Sequence, residues 1–298
     1  MNFPKLGGII PPTTTPFNAD GTIDVGAFVA QIRFMENAGV DGICVGGSMG
    51  EGHTLEADEL GTLWSAAAKE LSGRIPLMAG VIVNSTRQAV QRCRIARDSG
   101  AVALQVTPPH YIWKPDEEAM VEHFKTVAKE SGMPILIYNV IPWCYLSPAL
   151  LLRIMREIPG VVGVKQSNGD LKLLADLLLD LPEGKVVFAA VDALLYPSFA
   201  FGAHGAISAI PCAAPAVTID LWNAVQQGDH ATAKDLHWKI LRLWNAIGGD
   251  NLAANAKYVQ SLQGIPAGVV RQPMRMPDAA QQAKIRAAFE AIGQPSAV

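Results

Sequence analysis

The chain has 298 residues, half of them hydrophobic and only 17% charged, with a formal net charge of -3. That is ample apolar material for a large core. The near-neutral balance, with basic residues never in a run longer than a pair, points away from nucleic acid and anionic membrane as partners. The four cysteines, Cys44, Cys93, Cys144 and Cys212, stand far apart without a CxxC, which suits reduced, buried thiols better than a disulfide framework. The start, "MNFPKLGGIIPP", shows no charged region leading into an apolar run, and no 18-residue apolar stretch occurs. The expectation is a soluble, cytoplasmic protein.

Short apolar runs then alternate with longer amphipathic ones. In chain order the runs "GGIIPPTT" (7–14), "GICVGG" (42–47), "PLMAGV" (76–81), "ALQVTP" (103–108), "ILIYNV" (135–140), "GVVGVK" (160–165), "VVFAAV" (186–191) and "GAISAI" (205–210) read as strands. Helical patterns separate them over 24–38, 56–72, 85–98, 115–131, 147–157, 170–180 and 192–201, with one more over 214–227. Ser85 with Gln88 makes a capping-box pattern, and Ser147-Pro148 places a cap before a proline in the first helical position.

Eight strand-then-helix units imply a parallel sheet, and continuous apolar strands imply that both its faces are covered. "AGVDGICV", "SGAVALQV", "PGVVGVKQ" and "FGAHGAIS" repeat one signal, a helix stopped by glycine just before a strand. A doubly wound open sheet is the rival, but the turn after its first strand is usually rich in glycine, and here it reads "PPTTTPF". The α/β fold expected is therefore a (β/α)8 barrel over 1–228, followed by a three-helix extension over 229–298 packed on it: "DHATAKDLHWKILRLWNAIG", "NLAANAKYVQSLQG" and "PDAAQQAKIRAAFEAIG".

Such barrels carry their chemistry at the C-terminal ends of the strands. The residues there are "TTTP", "GGSMGE", "TPPHY", "YNV", "KQ" and "SAIP". They contain no paired carboxylates and no HExxH. His53, His110 and His204 fall near strand ends as hydrogen-bonding loop residues, so no metal is expected. Lys165 ends an apolar strand, which has two explanations. Its stem can snorkel to water at the strand mouth, or an apolar setting can disfavour the charged form of an amine that is otherwise protonated at pH 7 and free it as a nucleophile. A neutral amine attacks a ketone to give a Schiff base, an electron sink for bond cleavage next to the carbonyl. Tyr138, one strand over, is either a core tyrosine or a proton carrier. The glycines of "GGSMGE" make either a plain tight turn or a nest of N–H groups for a carboxylate.

Together, "GGSMGEGHTL", "TPPHY", "YNV", "GVVGVKQSNGD" and "FGAHGAIS", in this order, resemble the dihydrodipicolinate synthase / N-acetylneuraminate lyase family of class I pyruvate aldolases, over essentially the whole chain. The resemblance implies that Lys165 is the Schiff-base lysine and Tyr138 the proton-transfer tyrosine. It implies that Gly47, Ser48 and Met49, in the turn that ends at Glu51, hold the substrate carboxylate, with Ser48 also in a proton relay. Tyr111 matches the second relay tyrosine, which in the family often crosses a dimer interface, and Ile207 matches a position whose carbonyl faces the substrate. No cofactor is implied beyond the covalent lysine imine, and the partners implied are a small 2-oxo acid and further copies of the chain, as a dimer of dimers.

Departures from the family pattern leave the second substrate open. Dihydrodipicolinate synthases continue "YNVP" through a spacer to an arginine that takes a carboxylate. This chain reads "YNVIPWCYLS", with no arginine before Arg153, and "HYIWKP" has an extra residue. Trp113, Trp143 and Tyr145 either line an aromatic pocket or pack. The reading is a Schiff-base lyase or aldolase of pyruvate or a related 2-oxo acid. Its alternatives are a genuine 4-hydroxy-tetrahydrodipicolinate synthase, a dehydratase or deaminase (the "GSMGE" turn is reminiscent of members acting on hydroxypyrroline carboxylates), and a non-catalytic barrel that binds a small acid.

Overall fold

The computed structural model describes residues 6–293. Eight strands alternate with helices: β1 (Gly8–Ile9), α1 (Val25–Asn37), β2 (Ile43–Val45), α2 (Ala57–Leu71), β3 (Leu77–Val81), α3 (Thr86–Asp98), β4 (Ala103–Val106), α4 (Glu117–Ser131), β5 (Ile135–Asn139), α5 (Pro148–Glu157), β6 (Val161–Gln166), α6 (Leu171–Leu179), β7 (Val186–Ala189), α7 (Leu195–Ala200) and β8 (Gly205–Ala206). Then come α8 (Ile210–Ala213), α9 (Pro215–Gln226), α10 (His230–Ile247), α11 (Leu252–Leu262) and α12 (Ala279–Ala291). Every strand pairs in parallel with its neighbours, from β2 through β7 to β8, which pairs with β1. The ring closes where Pro12 bridges Cys44 in parallel, with Thr13 N–H donating to Cys44 O at 2.8 Å and Cys44 N–H to Pro11 O at 2.9 Å. This is the (β/α)8 barrel, with helices following it.

The first strand is shorter than its apolar run. Pro11 and Pro12 have no N–H to give, so the regular ladder with β8 stops at Ile9 and the pairing with β2 is a single bridge at Pro12. The last strand stops at Ala206, and Asp192 takes the backbone N–H groups of Ala209 and Ile210, turning the chain into α8. Caps form where serine or aspartate stands ready: Ser147 accepts from Leu150 N–H, and Asp24 from Ala27 N–H. At α3 only half of the expected box forms, because Ser85 accepts from Gln88 N–H but the Gln88 side chain accepts from the Ser85 hydroxyl. The complete box is at α2, between Glu56 and Glu59.

Two apolar layers result. Ile10, Cys44, Met78, Leu136, Phe188 and Ile207 fill the barrel interior. A larger layer, including Phe28, Trp64, Phe124 and Phe289, lies between the strands and the helices. The phase of β6 decides which way Lys165 points. Ile135 pairs with Val161 and Leu136 with Gly163, so Val162 is an extra residue in the ladder. Val161 and Val164 therefore both face the helices, while Gly163 and Lys165 face inward beside Leu136 and Tyr138.

Between α3 and α4, His123 is buried with its Nδ1 2.9 Å from Thr86 Oγ1, and burial pushes its imidazole down to about 4. Between that value and the ordinary one near 6.5, the unfolded chain holds the proton and the folded chain does not. Stability should therefore fall as pH drops from about 6.5 towards 4, by on the order of 3 kcal/mol. Denaturation midpoints across this range should show a shallower slope in His123→Gln.

Candidate active site

Lys165 is the next-to-last residue of β6, at the C-terminal mouth of the barrel, in register with Tyr138 of β5 and Phe188 of β7. Lys165 and Tyr138 are 5% and 4% exposed. The lysine Nζ lies 4.0 Å from the centroid of the Tyr138 ring, and the Tyr138 hydroxyl is 3.0 Å from Ser48 Oγ. Among the described residues no carboxylate forms a salt bridge with Lys165. Its charge is nevertheless felt by Cys44, whose thiol burial pushes up to about 12, and by Asp192, whose carboxyl burial raises against its bonds to Ile210 and Ala209 N–H. Cys44 is thus held as a protonated, unreactive thiol.

The turn after β2, a strand not paired with β5 or β6, reaches Tyr138 through Ser48. Gly46 takes φ +83°, and a Cβ on Gly52 would stand 2.0 Å from Gly46 O, so the loop can close on itself only with glycine there. Ser48–Gly50 forms one 3-10 turn, in which Gly50 N–H donates to Gly47 O at 3.0 Å, Glu51 N–H to Ser48 O at 3.0 Å and Gly52 N–H to Gly47 O at 3.1 Å. Among the described residues, these bonds leave the N–H groups of Ser48 and Met49 at the head of the turn without a carbonyl. Met49 buries its side chain in the layer beneath the helices, so it offers the site only its backbone. Gln105 of β4 borders Gly47, its Nε2 being 3.4 Å from where a Cβ would stand.

Glu51 ends the turn in the left-handed region at φ 53° and is buried. Lys257 of α11 reaches its Oε1 at 2.7 Å, and the Arg271 N–H reaches its Oε2 at 2.9 Å. Burial pushes the Lys257 ammonium down, opposed by the Glu51 charge.

After β5, Asn139 pins the next loop by accepting from Leu146 N–H at 2.9 Å and donating to Leu146 O at 3.1 Å. The loop turns Tyr145 back towards β6, its hydroxyl donating to Ser167 O at 3.3 Å, while burial and the neighbouring Tyr138 raise its phenol. Trp143 and Trp113 point outward, and the Trp143 indole N–H donates to His110 O at 2.8 Å. Arg153 is engaged elsewhere, in ion pairs with Glu118 at 2.6 Å and Glu157 at 2.7 Å.

Lys165, Tyr138 and Ser48 are thus brought together, with Gly47 and Met49 in the adjoining turn. Ile207 follows the end of β8, buried in the barrel interior, its N–H donating to Ala189 O at 2.9 Å. Tyr111 stands apart, 70% exposed, its N–H donating to Asn84 Oδ1 and its carbonyl accepting from Trp113 N–H. His110 Nδ1 is bonded to Pro108 O and His204 Nδ1 to Val187 N–H, and among the described residues no three histidines, cysteines or carboxylates converge on a point. Sequence reasoning missed Lys257 and Asp192. The visible signal for Lys257 was a lysine three residues after Ala254 on the apolar face of its helix; for Asp192 it was an acid opening a helical pattern, which reads as a cap.

With the geometry in place, a family profile described as the dihydrodipicolinate synthetase family matches residues 5–292. The chain belongs to this family. It is 34% identical over 292 residues to a 4-hydroxy-tetrahydrodipicolinate synthase of Neisseria meningitidis serogroup B, covering 97% of this chain and 99% of that one. Crystal structures agree. The dihydrodipicolinate synthase of Aquifex aeolicus superposes with a TM-score of 0.92 at 29% identity, covering 98% of this chain and all of the other. YagE, an Escherichia coli K12 prophage protein of the same family solved in complex with pyruvate, superposes with a TM-score of 0.92 at 27% identity, covering 97% and 99%. The protein is a lyase of the Schiff-base class that defines this family.

Gly52→Ala should cost about 3 kcal/mol, because its Cβ has no space against Gly46 O. Urea denaturation measures the loss.

Proposed function

We propose that Lys165 is the nucleophile of a class I lyase acting on pyruvate or a close 2-oxo acid, with no cofactor beyond the imine it forms. The observation that carries this reading is the set Lys165–Tyr138–Ser48, with an unpaired amine 4.0 Å from the tyrosine ring and that tyrosine 3.0 Å from the serine. Lys165 Nζ adds to the C2 carbonyl, and the carbinolamine loses water as Tyr138 delivers a proton to the departing oxygen. The iminium then accepts the electron pair released when a C3 proton, or a C3–C4 bond, is broken, giving an enamine. Tyr138 and Ser48 hand the protons on. The N–H groups of Ser48 and Met49 hold the substrate carboxylate beside Gly47, and the Ile207 carbonyl, just past β8, faces the substrate. Tyr111 completes the relay from one copy into another.

The second substrate is one that needs no arginine at the β5 loop. The β5 loop holds Trp143 and no arginine before Arg153, and Arg153 is held by Glu118 and Glu157. A 4-hydroxy-tetrahydrodipicolinate synthase, the activity named for the Neisseria relative, must hold a second carboxylate, and that reading has less support here. Assembly into a homo-oligomer, a dimer of dimers, is part of the proposal. Tyr111, Ile112, Trp113 and Trp143 form an exposed apolar cluster that a further copy would cover. The four cysteines are free and buried, which suits the cytoplasm, and among the described residues no helix is long and apolar enough to cross a membrane.

Borohydride added with pyruvate should inactivate the wild type and leave a reduced pyruvyl adduct on one tryptic peptide, the one carrying Lys165. Lys165→Ala should form no adduct and lose activity at least ~10³-fold. A folded wild type that forms no adduct with any of a panel of 2-oxo acids would remove the reading and bring the acid-binding barrel forward.

A further inference from the structure

The turn that receives the carboxylate is held from behind by the helices that follow the barrel. Glu51 is a non-glycine residue at φ 53°, ψ 33°, a conformation that persists only when its surroundings impose it. Both its carboxylate oxygens are engaged by the C-terminal segment: Oε1 by Lys257 Nζ at 2.7 Å and Oε2 by the Arg271 N–H at 2.9 Å. Lys257 is fully buried, its Nζ also donating to Val269 O at 2.6 Å and lying 4.9 Å from the centroid of the Phe17 ring. Replacing a buried ion pair by packed apolar side chains is often neutral or stabilising, so the pair is better explained by the geometry it imposes than by stability.

That geometry leads to the reacting atoms. Glu51 N–H donates to Ser48 O at 3.0 Å and Gly52 N–H to Gly47 O at 3.1 Å, so a shift of Glu51 carries Ser48 and Gly47 with it. Ser48 Oγ is in turn 3.0 Å from the Tyr138 hydroxyl. One turn along α11, Gln260 adds a second brace: its Oε1 accepts from Thr14 Oγ1 at 2.9 Å, and the adjacent Thr15 donates to Gly50 O at 2.7 Å. The same face of α11 therefore presses on the turn from two sides.

We infer that Lys257 is a positioning residue for the reaction: by clamping Glu51 it sets the Ser48–Met49 N–H groups and the Ser48 hydroxyl against the substrate. The inference rests on the proposed role of that turn. Lys257→Met keeps the length of the side chain and removes the charge. In this variant, the pyruvate concentration giving half-maximal borohydride trapping on Lys165 should rise at least tenfold, with a smaller change in the trapping rate at saturation. Amide hydrogen exchange of a peptide covering 46–55 should quicken at least tenfold, while peptides of β3 to β6 keep wild-type rates. Glu51→Gln should shift both readouts in the same direction, and adding it to Lys257→Met should add little. If Lys257→Met does not fold, Glu51→Gln carries the test alone. Half-saturation within twofold of wild type and unchanged exchange at 46–55 would make Lys257 a purely structural residue. A wild type that traps no pyruvate would defeat the Schiff-base reading instead, and the exchange comparison would still decide whether Lys257 holds the turn.

Discussion

Lys165 faces the barrel interior because the ladder between β5 and β6 skips one residue. With Ile135 on Val161 and Leu136 on Gly163, the extra Val162 resets the pleat, so that Val161 and Val164 both pack under the helices and Lys165 turns inward beside Tyr138. A strand of unbroken period two that kept Val161 outward would have sent Lys165 out as well. Gly163 is part of the same device, since a Cβ there would stand 2.1 Å from Val186 O. The bulge, one inserted residue and one missing side chain, decides whether the amine lies among the helices or over the tyrosine ring. The remaining contacts of the site presuppose that choice.

Around that amine, three separate stretches meet at one face of the barrel. The β2 turn supplies Ser48 and free N–H groups, and β5 supplies Tyr138, with Asn139 fixing the loop above it. The C-terminal segment supplies Lys257 and Arg271, which hold the far end of the turn. The segment after the barrel thus braces the turn that carries Ser48 from behind, through Glu51. Arg271 extends the tie, reaching Glu59 at the start of α2 and Gly21 O beyond β1. A neutral packing helix would bury as much apolar surface but would not set the conformation of Glu51.

The repeating fold was legible because each unit carries its own signal: a glycine-stopped helix, then an apolar run too short for a helix. Lys165, Tyr138 and the glycine turn were legible because they sit at strand ends, where one barrel rule and the family motifs point together. The bulge was not, since "GVVGVK" reads equally well as regular or bulged until its pairing partner is known. Lys257 was hidden because its partner is 206 residues away in sequence, and a lone lysine in a helix reads as surface. Asp192 was hidden because its role, closing the end of β8 through two backbone bonds, looks from sequence like an ordinary cap. Long-range pairing supplies what local pattern lacks.

The proposed imine and enamine chemistry involves Lys165, Tyr138 and Ser48 and not the β5 loop, so it can be tested without knowing the second substrate. The most direct measurement is exchange of the methyl protons of pyruvate in D2O, followed by proton NMR with the enzyme alone. Imine formation at Lys165 and proton removal by Tyr138 predict steady loss of the methyl signal with wild type. Tyr138→Phe should be slowed by about 10²-fold or more, and Lys165→Ala should show only the uncatalysed rate. A folded wild-type enzyme that leaves the methyl protons of pyruvate and of other short 2-oxo acids unexchanged would contradict the account.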